Sequence, residues 1–467
     1  MPANQGRVAG LCGQTWIASH TKQPGIALIF TFVGLSHGDG FNRFAEKMKC
    51  PSARVGQGRT RRAAPAQAAF CLAIALVVGA CGERPTGNLI AVSARAPGAD
   101  VVDMLVATTR APVSVPAGVM FEGERAIGLS FADIAVSIPP DSARKIGEVQ
   151  WPSSQPGDPV HDFVTVRADR MELKEGRAEF DRRLAKTHGR HVLIFVHGYN
   201  TRFEEAVYRF AQIVHDSRAD VVPLLFTWPS RGRAMAYFYD RESASYSRDA
   251  LEAVLQGVVD DPQVASISML SHSLGNVVAV EALRQMSIRN HGLSSKIKDI
   301  MLAAPDIDVD VFRRDIAEIE IDDERPPITL FVSQDDRALG LSKLLAGEPR
   351  MGAVDPTAEP YRGTLELAHV HVIDLTAFAS GDNMNHDKFA STDVVRQIGL
   401  RLAAGQPLTD AKSNLGETVG IFAVNATDVL GKVTATVVTA PFDAVDAMRA
   451  SPLPGDPPPP ATGPPGR

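Results

Sequence analysis

The sequence predicts an α/β protein: a mainly parallel sheet with helices on both faces, spanning residues 103–403. Three observations carry this. From about Arg190 to Ala403, short apolar runs alternate with stretches of helical periodicity, the pattern of a parallel sheet wound with crossover helices. Val192-Leu-Ile-Phe-Val196 is apolar throughout, as expected of a strand buried on both faces. Polar, Gly-containing motifs fall directly after several such runs, where open α/β sheets collect their reactive groups.

The chain begins differently. Of its 467 residues 45% are hydrophobic and 22% charged, enough apolar material for a sizeable core. Residues 1–81 hold nine Lys/Arg and two Asp/Glu, leaving 39 against 52 in the remainder, a net of −13. An acidic body argues against nucleic acid as a partner, which needs a basic footprint. All four cysteines (Cys12, Cys50, Cys71, Cys81) lie in the basic start, so the body has no disulfide, Cys nucleophile or Cys-based zinc site. The apolar run Gly25–Leu35 is too short to span a bilayer. Met48-Lys49 reads as a more natural start, which makes 1–47 an over-extended gene start. Arg54, Arg59, Arg61 and Arg62 then form a positive n-region and Ala66–Val78 an apolar h-region. Val78-Gly-Ala-Cys81 follows and resembles the lipobox of bacterial lipoproteins. That resemblance implies cleavage before Cys81, a lipid on its thiol and a place in the cell envelope. Gly82 after it resembles lipoproteins sent on to the outer membrane.

Residues 82–102, rich in Pro, Gly and Ala, are expected to be a tether. Met104–Thr109, Ile127–Ile138 and Asp162–Arg167 read as antiparallel strands leading into the main sheet, without chemistry of their own. After Val192–Val196, Phe203, Ala206, Val207, Phe210, Ile213 and Val214 recur at helical spacing. Val222–Phe226 is a strand, and Leu251, Val254, Leu255 and Val258 mark a helix. Val264–Leu270 is a strand that leads through Ser271-His-Ser-Leu-Gly275 into a helix from Asn276 to Met286. Ile300–Ala303, Ile328–Val332 and Val370–Leu375 are further strands, and Asp393–Leu402 closes as a helix. Residues 404–467 form an extension. Its part Gly416–Val438 is apolar without clear periodicity, and from Pro452 its Pro-Gly composition predicts disorder.

The chemistry centres on Ser273. A strand, a tight turn with small flanking residues and a helix present one hydroxyl beside a helix N-terminus, the geometry of a nucleophile elbow. Ser271 stands where the G-x-S-x-G pattern has its first Gly. A serine hydroxyl needs a general base, and the base an orienting carboxylate. Ser333-Gln-Asp-Asp-Arg337 follows one strand and the loop bearing His386 follows the last. Ser273, then Asp335 or Asp336, then His386 is the chain order of a hydrolase triad on this kind of sheet. His197-Gly-Tyr-Asn200, after another strand, can supply an oxyanion N–H from Tyr199 or Asn200, with Leu274 N–H as the second donor. The side chain of His197 reads as a packing residue.

Ile194–Asn200, Phe226–Ser230, Tyr239–Ser243, Ser271–Asn276, Ala303–Asp308, Asp336–Leu339 and His386 occur in the order of one bacterial branch of the α/β-hydrolase superfamily. With Thr108–Arg110 and Val136–Pro140 upstream, the body resembles the uncharacterised esterase/lipase-like DUF900 family. The resemblance implies a serine hydrolase fold and site, and it favours Asp336 as the acid because that residue precedes Arg-Ala-Leu. Asp335 and Asp306 are the fallback acids.

Elsewhere, His369 and His371 read as core or edge residues of one strand. Arg231, Arg233, Asp240 and Arg241 read as a solvated face. Asp306, Asp308 and Asp310 lack the Gly turn and distal Glu of a calcium loop, so no metal and no organic cofactor is implied. The expected activity is carboxylic ester hydrolysis on short or medium acyl groups, with a small-molecule or lipid-like ester as substrate and the membrane reached through the Cys81 lipid anchor. The same triad would serve an amidase, thioesterase or acyltransferase. A non-catalytic envelope protein that keeps the fold for interactions is the rival from another class.

Overall fold

The computed structural model describes residues 86–319, 326–367 and 370–403. The lipobox with Cys81, the other cysteines, the 1–47 start, His369 and Gly416–Val438 with the Pro-rich end lie outside the described residues.

Nine strands form one sheet: β1 (Asp100–Pro112), β2 (Phe121–Ile138), β3 (Val164–Met171), β4 (His191–Val196), β5 (Val222–Thr227), β6 (Ser266–His272), β7 (Ile297–Ala303), β8 (Ile328–Val332) and β9 (His371–Asp374). Their order is β3-β2-β1-β5-β4-β6-β7-β8-β9. β2 runs against both its neighbours, and every other adjacent pair is parallel. The helices are α1 (Leu173–Leu184), α2 (Phe203–Ser217), α3 (Tyr237–Asp260), α4 (Gly275–Asn290), α5 (Val309–Ile319), α6 (Arg337–Ala346), α7 (Tyr361–Leu367) and α8 (Thr392–Ala403).

The period of two in each strand divides the core into two layers. Val192, Ile194 and Val196 of β4 face one cluster with Leu251 and Leu255 of α3 and Val278, Ala282 and Leu283 of α4. Leu193 and Phe195 face the other, with Phe203, Val207, Phe210 and Val214 of α2 and Val395 and Ile398 of α8. A continuous apolar strand is therefore satisfied on both sides, which is why β4 shows no alternation.

Two expectations for the amino-terminal part are corrected. β1 does not merely lead in. It pairs parallel with β5 from Leu105↔Leu224 to Thr108↔Thr227, so it is an inner strand of the sheet. The described part of the expected tether also packs. Leu89 is buried, Val92 N–H donates to Thr165 O at 2.8 Å, and Tyr208 Oη donates to Asn88 O at 3.0 Å. Leu89 joins the second layer, while Ile90 stays exposed.

Candidate functional site

β6 ends at His272, and the next residue, Ser273, adopts φ +52°, a left-handed conformation costly for a side chain bearing Cβ. Three contacts hold it there: Ser273 N–H donates to Ala303 O at 2.9 Å, and Ser273 O accepts from Asn276 N–H at 3.1 Å and Asp306 N–H at 3.2 Å. Asn276 adds a clamp, its Nδ2 donating to Ser273 O and to Ala303 O, both at 2.9 Å. Ser271 Oγ donates to Asn276 Oδ1 at 2.6 Å, a use for the hydroxyl that a Gly there could not provide. Gly275 has no substitute, because a Cβ would lie 2.2 Å from His197 O. A Cβ at Gly198 would come within 2.9 Å of both Ser273 Cβ and His272 Nδ1. Two backbone approaches thus press the loop after β4 against the elbow.

The next pieces come from the ends of β8 and β9. Asp336 caps α6, accepting Leu339 N–H at 2.9 Å, and its other oxygen lies 2.6 Å from His386 Nδ1. With Nδ1–H donated to the carboxylate, His386 Nε2 carries the lone pair. Burial alone would depress the His386 pKa, but the hydrogen bond and charge of Asp336, with Asp387 and Asp382 behind them, raise it above the ordinary value. The loop is held by Asp382, which accepts the N–H groups of His386 and Asp387 at 3.0 and 3.1 Å. The two fallback acids are committed elsewhere. Asp335 accepts from Lys388 Nζ at 2.6 Å and Asn385 Nδ2 at 2.9 Å, fastening the His386 loop to the end of β8. Burial works against the Asp335 carboxylate, yet hydrogen bonds from Lys388 and Ser333 hold it below its usual range. Asp306 accepts from Ser342 Oγ at 2.5 Å and Tyr237 Oη at 3.1 Å, with Arg350 Nε at 3.3 Å.

A second imidazole stands beside the first. His272, immediately before Ser273, packs its ring 4.6 Å from that of His386 and 4.5 Å from that of Phe389. Among the described residues its Nε2 has no hydrogen-bond partner, and it lies 3.7 Å from Asp387 Oδ1. Burial, then the neighbouring His386, pushes its pKa down to about 3, so it stays neutral. Asp387 is engaged by Arg209 at 2.8 Å. Burial opposes its ionisation, but Arg209, with both histidines, keeps the Asp387 carboxyl below its usual range.

The loop 197–201 is braced from behind. His197 is buried and stacks on Trp228 at 5.1 Å, while Trp228 Nε1 donates to His197 O at 2.8 Å. Asn200 N–H is donated to Asp240 Oδ2 at 3.3 Å, which commits that amide to a carboxylate, unlike what an oxyanion role for Asn200 would need. Asp240 is accordingly no member of a solvated face. It is fully buried and also accepts from Ser230 Oγ at 2.6 Å and Arg231 N–H at 2.9 Å. Asp308, one of three alternating aspartates, caps α5 by accepting Asp310 and Val311 N–H at 2.9 and 3.2 Å. Between the loop, α2 and the His386 loop lies a cavity of about 270 Å³, lined by Tyr199, Glu205, Arg209, His272, His386 and Trp151 among others.

A nine-stranded, mostly parallel sheet with this elbow between strand and helix defines an alpha/beta-hydrolase fold. Residues 172–402 match the family model described as alpha/beta hydrolase of unknown function (DUF900). No curated protein matches the chain. Sequence reasoning missed Arg209, Asp387 and the role of His272, of which His272 and Asp387 each adjoin a residue already singled out. It set Asp240 on a solvated face, and it named Arg110 only within the block Thr108–Arg110, with no role of its own.

Proposed function

We propose that the protein is a serine hydrolase that cleaves carboxylic esters with short or medium acyl groups. In this reading Ser273 Oγ attacks the acyl carbon while His386 Nε2 takes its proton. Asp336 holds the Nδ1–H tautomer and stabilises the imidazolium that forms. Tyr199 and Leu274 N–H groups carry the negative charge of the tetrahedral oxygen. His386 then returns the proton to the leaving alcohol, and a water activated by the same base releases the acid. The observation that carries the reading is the 2.6 Å contact between His386 and a carboxylate that itself caps a helix, in the same cluster of strand ends as the Ser273 elbow. The cavity of about 270 Å³ supports a small acyl group over a long one. Hydrolysis of short p-nitrophenyl esters should fall by roughly 10⁵-fold or more in Ser273→Ala. An unchanged rate in that variant would exclude Ser273 as the nucleophile.

The lipobox supports a second proposal, that the protein is anchored in the envelope by a lipid on Cys81. Incorporation of a fatty-acid analogue in growing cells should be abolished by Cys81→Ser, and incorporation that survives the substitution would contradict the anchor.

A further inference from the structure

We infer that Arg110, at the end of β1 and outside the segment matched by the family model, is a positioning residue for the oxyanion loop. The inference rests on the hydrolase reading above.

Arg110 is buried, 1% exposed, and still its guanidinium makes no ion pair among the described residues. It donates instead to backbone and to an imidazole. Nη1 reaches Ser230 O at 2.8 Å and Glu122 O at 3.4 Å. Nη2 reaches Thr201 O at 2.8 Å and His197 Nε2 at 3.2 Å. Taking a charge out of water is costly, and here that cost is set against loop geometry rather than against a partner charge. Burial lowers its pKa to about 10, with Asp240, Glu204 and Glu205 opposing, so it remains cationic at neutral pH.

The consequence runs through one peptide plane. His197 Nε2 accepts from Arg110 and also from Trp228 N–H at 3.2 Å, so Nδ1 must carry the ring proton. That N–H donates to Gly198 O at 2.8 Å. The carbonyl of Gly198 and the N–H of Tyr199 belong to the same rigid peptide unit. Fixing the carbonyl fixes the direction of the amide that would hold the oxyanion. Arg110 grips the other end of the loop at Thr201 O, and through Ser230 O it ties the loop after β5 to the same point. A lysine cannot reproduce this, since its single ammonium lacks the planar fork that spans two loops at once.

The test compares the full chain with Arg110→Lys and Arg110→Ala, measuring kcat and KM on a soluble p-nitrophenyl ester and the affinity of an alkyl boronic acid, whose adduct with a serine is tetrahedral. Loss of a preorganised oxyanion donor costs about 10²–10³-fold in kcat. The expected result is a fall of that order in kcat for both variants, KM within about threefold, boronate affinity weakened in parallel, and partial rescue of Arg110→Ala by free guanidinium. His197→Phe, which keeps a ring on Trp228 and removes both nitrogens, should lower kcat and boronate affinity by at least about tenfold, and it carries the test if Arg110→Ala does not fold. A folded Arg110→Lys with kcat and boronate affinity like the parent's, or a loss confined to KM, overturns the inference alone. A parent that neither binds boronate nor turns over ester overturns the hydrolase reading and this inference with it.

Discussion

Two imidazoles lie side by side at the end of β6, each with an aspartate near it, and they differ in everything that matters for proton transfer. His386 has its carboxylate at 2.6 Å, and Asp336 lowers the cost of a positive charge on the ring. His272 has Asp387 at 3.7 Å, but that carboxylate is engaged by Arg209, and burial leaves the ring neutral down to about pH 3. The lesson is that nearness of an acid does not make a histidine a base. What counts is whether the acid's charge is already neutralised by another partner, and whether the ring nitrogen is close enough to share a proton. In the proposed mechanism His386 is the base, and His272 is a neutral ring packed against both His386 and Phe389.

The comparison can be broken most forcefully at His386. Replacing it with Ala should reduce ester hydrolysis by roughly 10⁵-fold, while His272→Gln should cost far less, about tenfold through packing. Equal losses would mean that the two rings had been misassigned. Next in size is Asp336→Asn, which keeps the shape but reverses the tautomer preference and should reduce kcat by about 10³–10⁴-fold. Asp335→Asn, which only loosens the His386 loop, should stay within about tenfold.

A smaller effect sharpens the other pair. Arg209→Gln frees the charge of Asp387, and the pKa of His272, followed by NMR, should then rise from about 3, whereas an unmoved value would show that burial alone sets it. The smallest effect is on stability. His191 (pushed by burial to about 4), His197 (well below the ordinary value) and His272 are neutral in the fold but protonate when unfolded below about pH 6.5. The unfolded state then binds more protons, so stability falls as pH drops from 6.5 to 5, with a limiting slope of about 1.4 kcal/mol per pH unit per group. His386, raised in the fold, acts in the opposite window: its contribution is present below 6.5 and lost as pH rises through its folded pKa. Urea midpoints across pH 5–8 check both signs.

The fold was legible because its signals are local. The apolar run of β4, the helical spacing in α2 and the small residues around Ser273 each lie within one short window of sequence. The pairing of Asp336 with His386 could be read because strand ends converge in this class of sheet. Other features were not readable. The partners of Arg110 lie 120 residues away at Ser230 and 91 away at Thr201, and no periodicity encodes such contacts. Asp240 looked like part of a charged surface because its neighbours Arg241 and Glu242 are polar, while its own side chain turns inward to the backbone of two loops. The choice between Asn200 and Tyr199 depended on the direction of one amide, which residue type does not specify.

The most direct measurement is the pH dependence of Ser273 labelling by a fluorophosphonate, read by peptide mass in the parent, His386→Ala and Asp336→Asn proteins. The account predicts labelling confined to the Ser273 peptide, rising with pH through an apparent pKa above 6.5, abolished in His386→Ala and strongly slowed in Asp336→Asn. Labelling of another residue, or labelling of Ser273 that persists without His386, would contradict it.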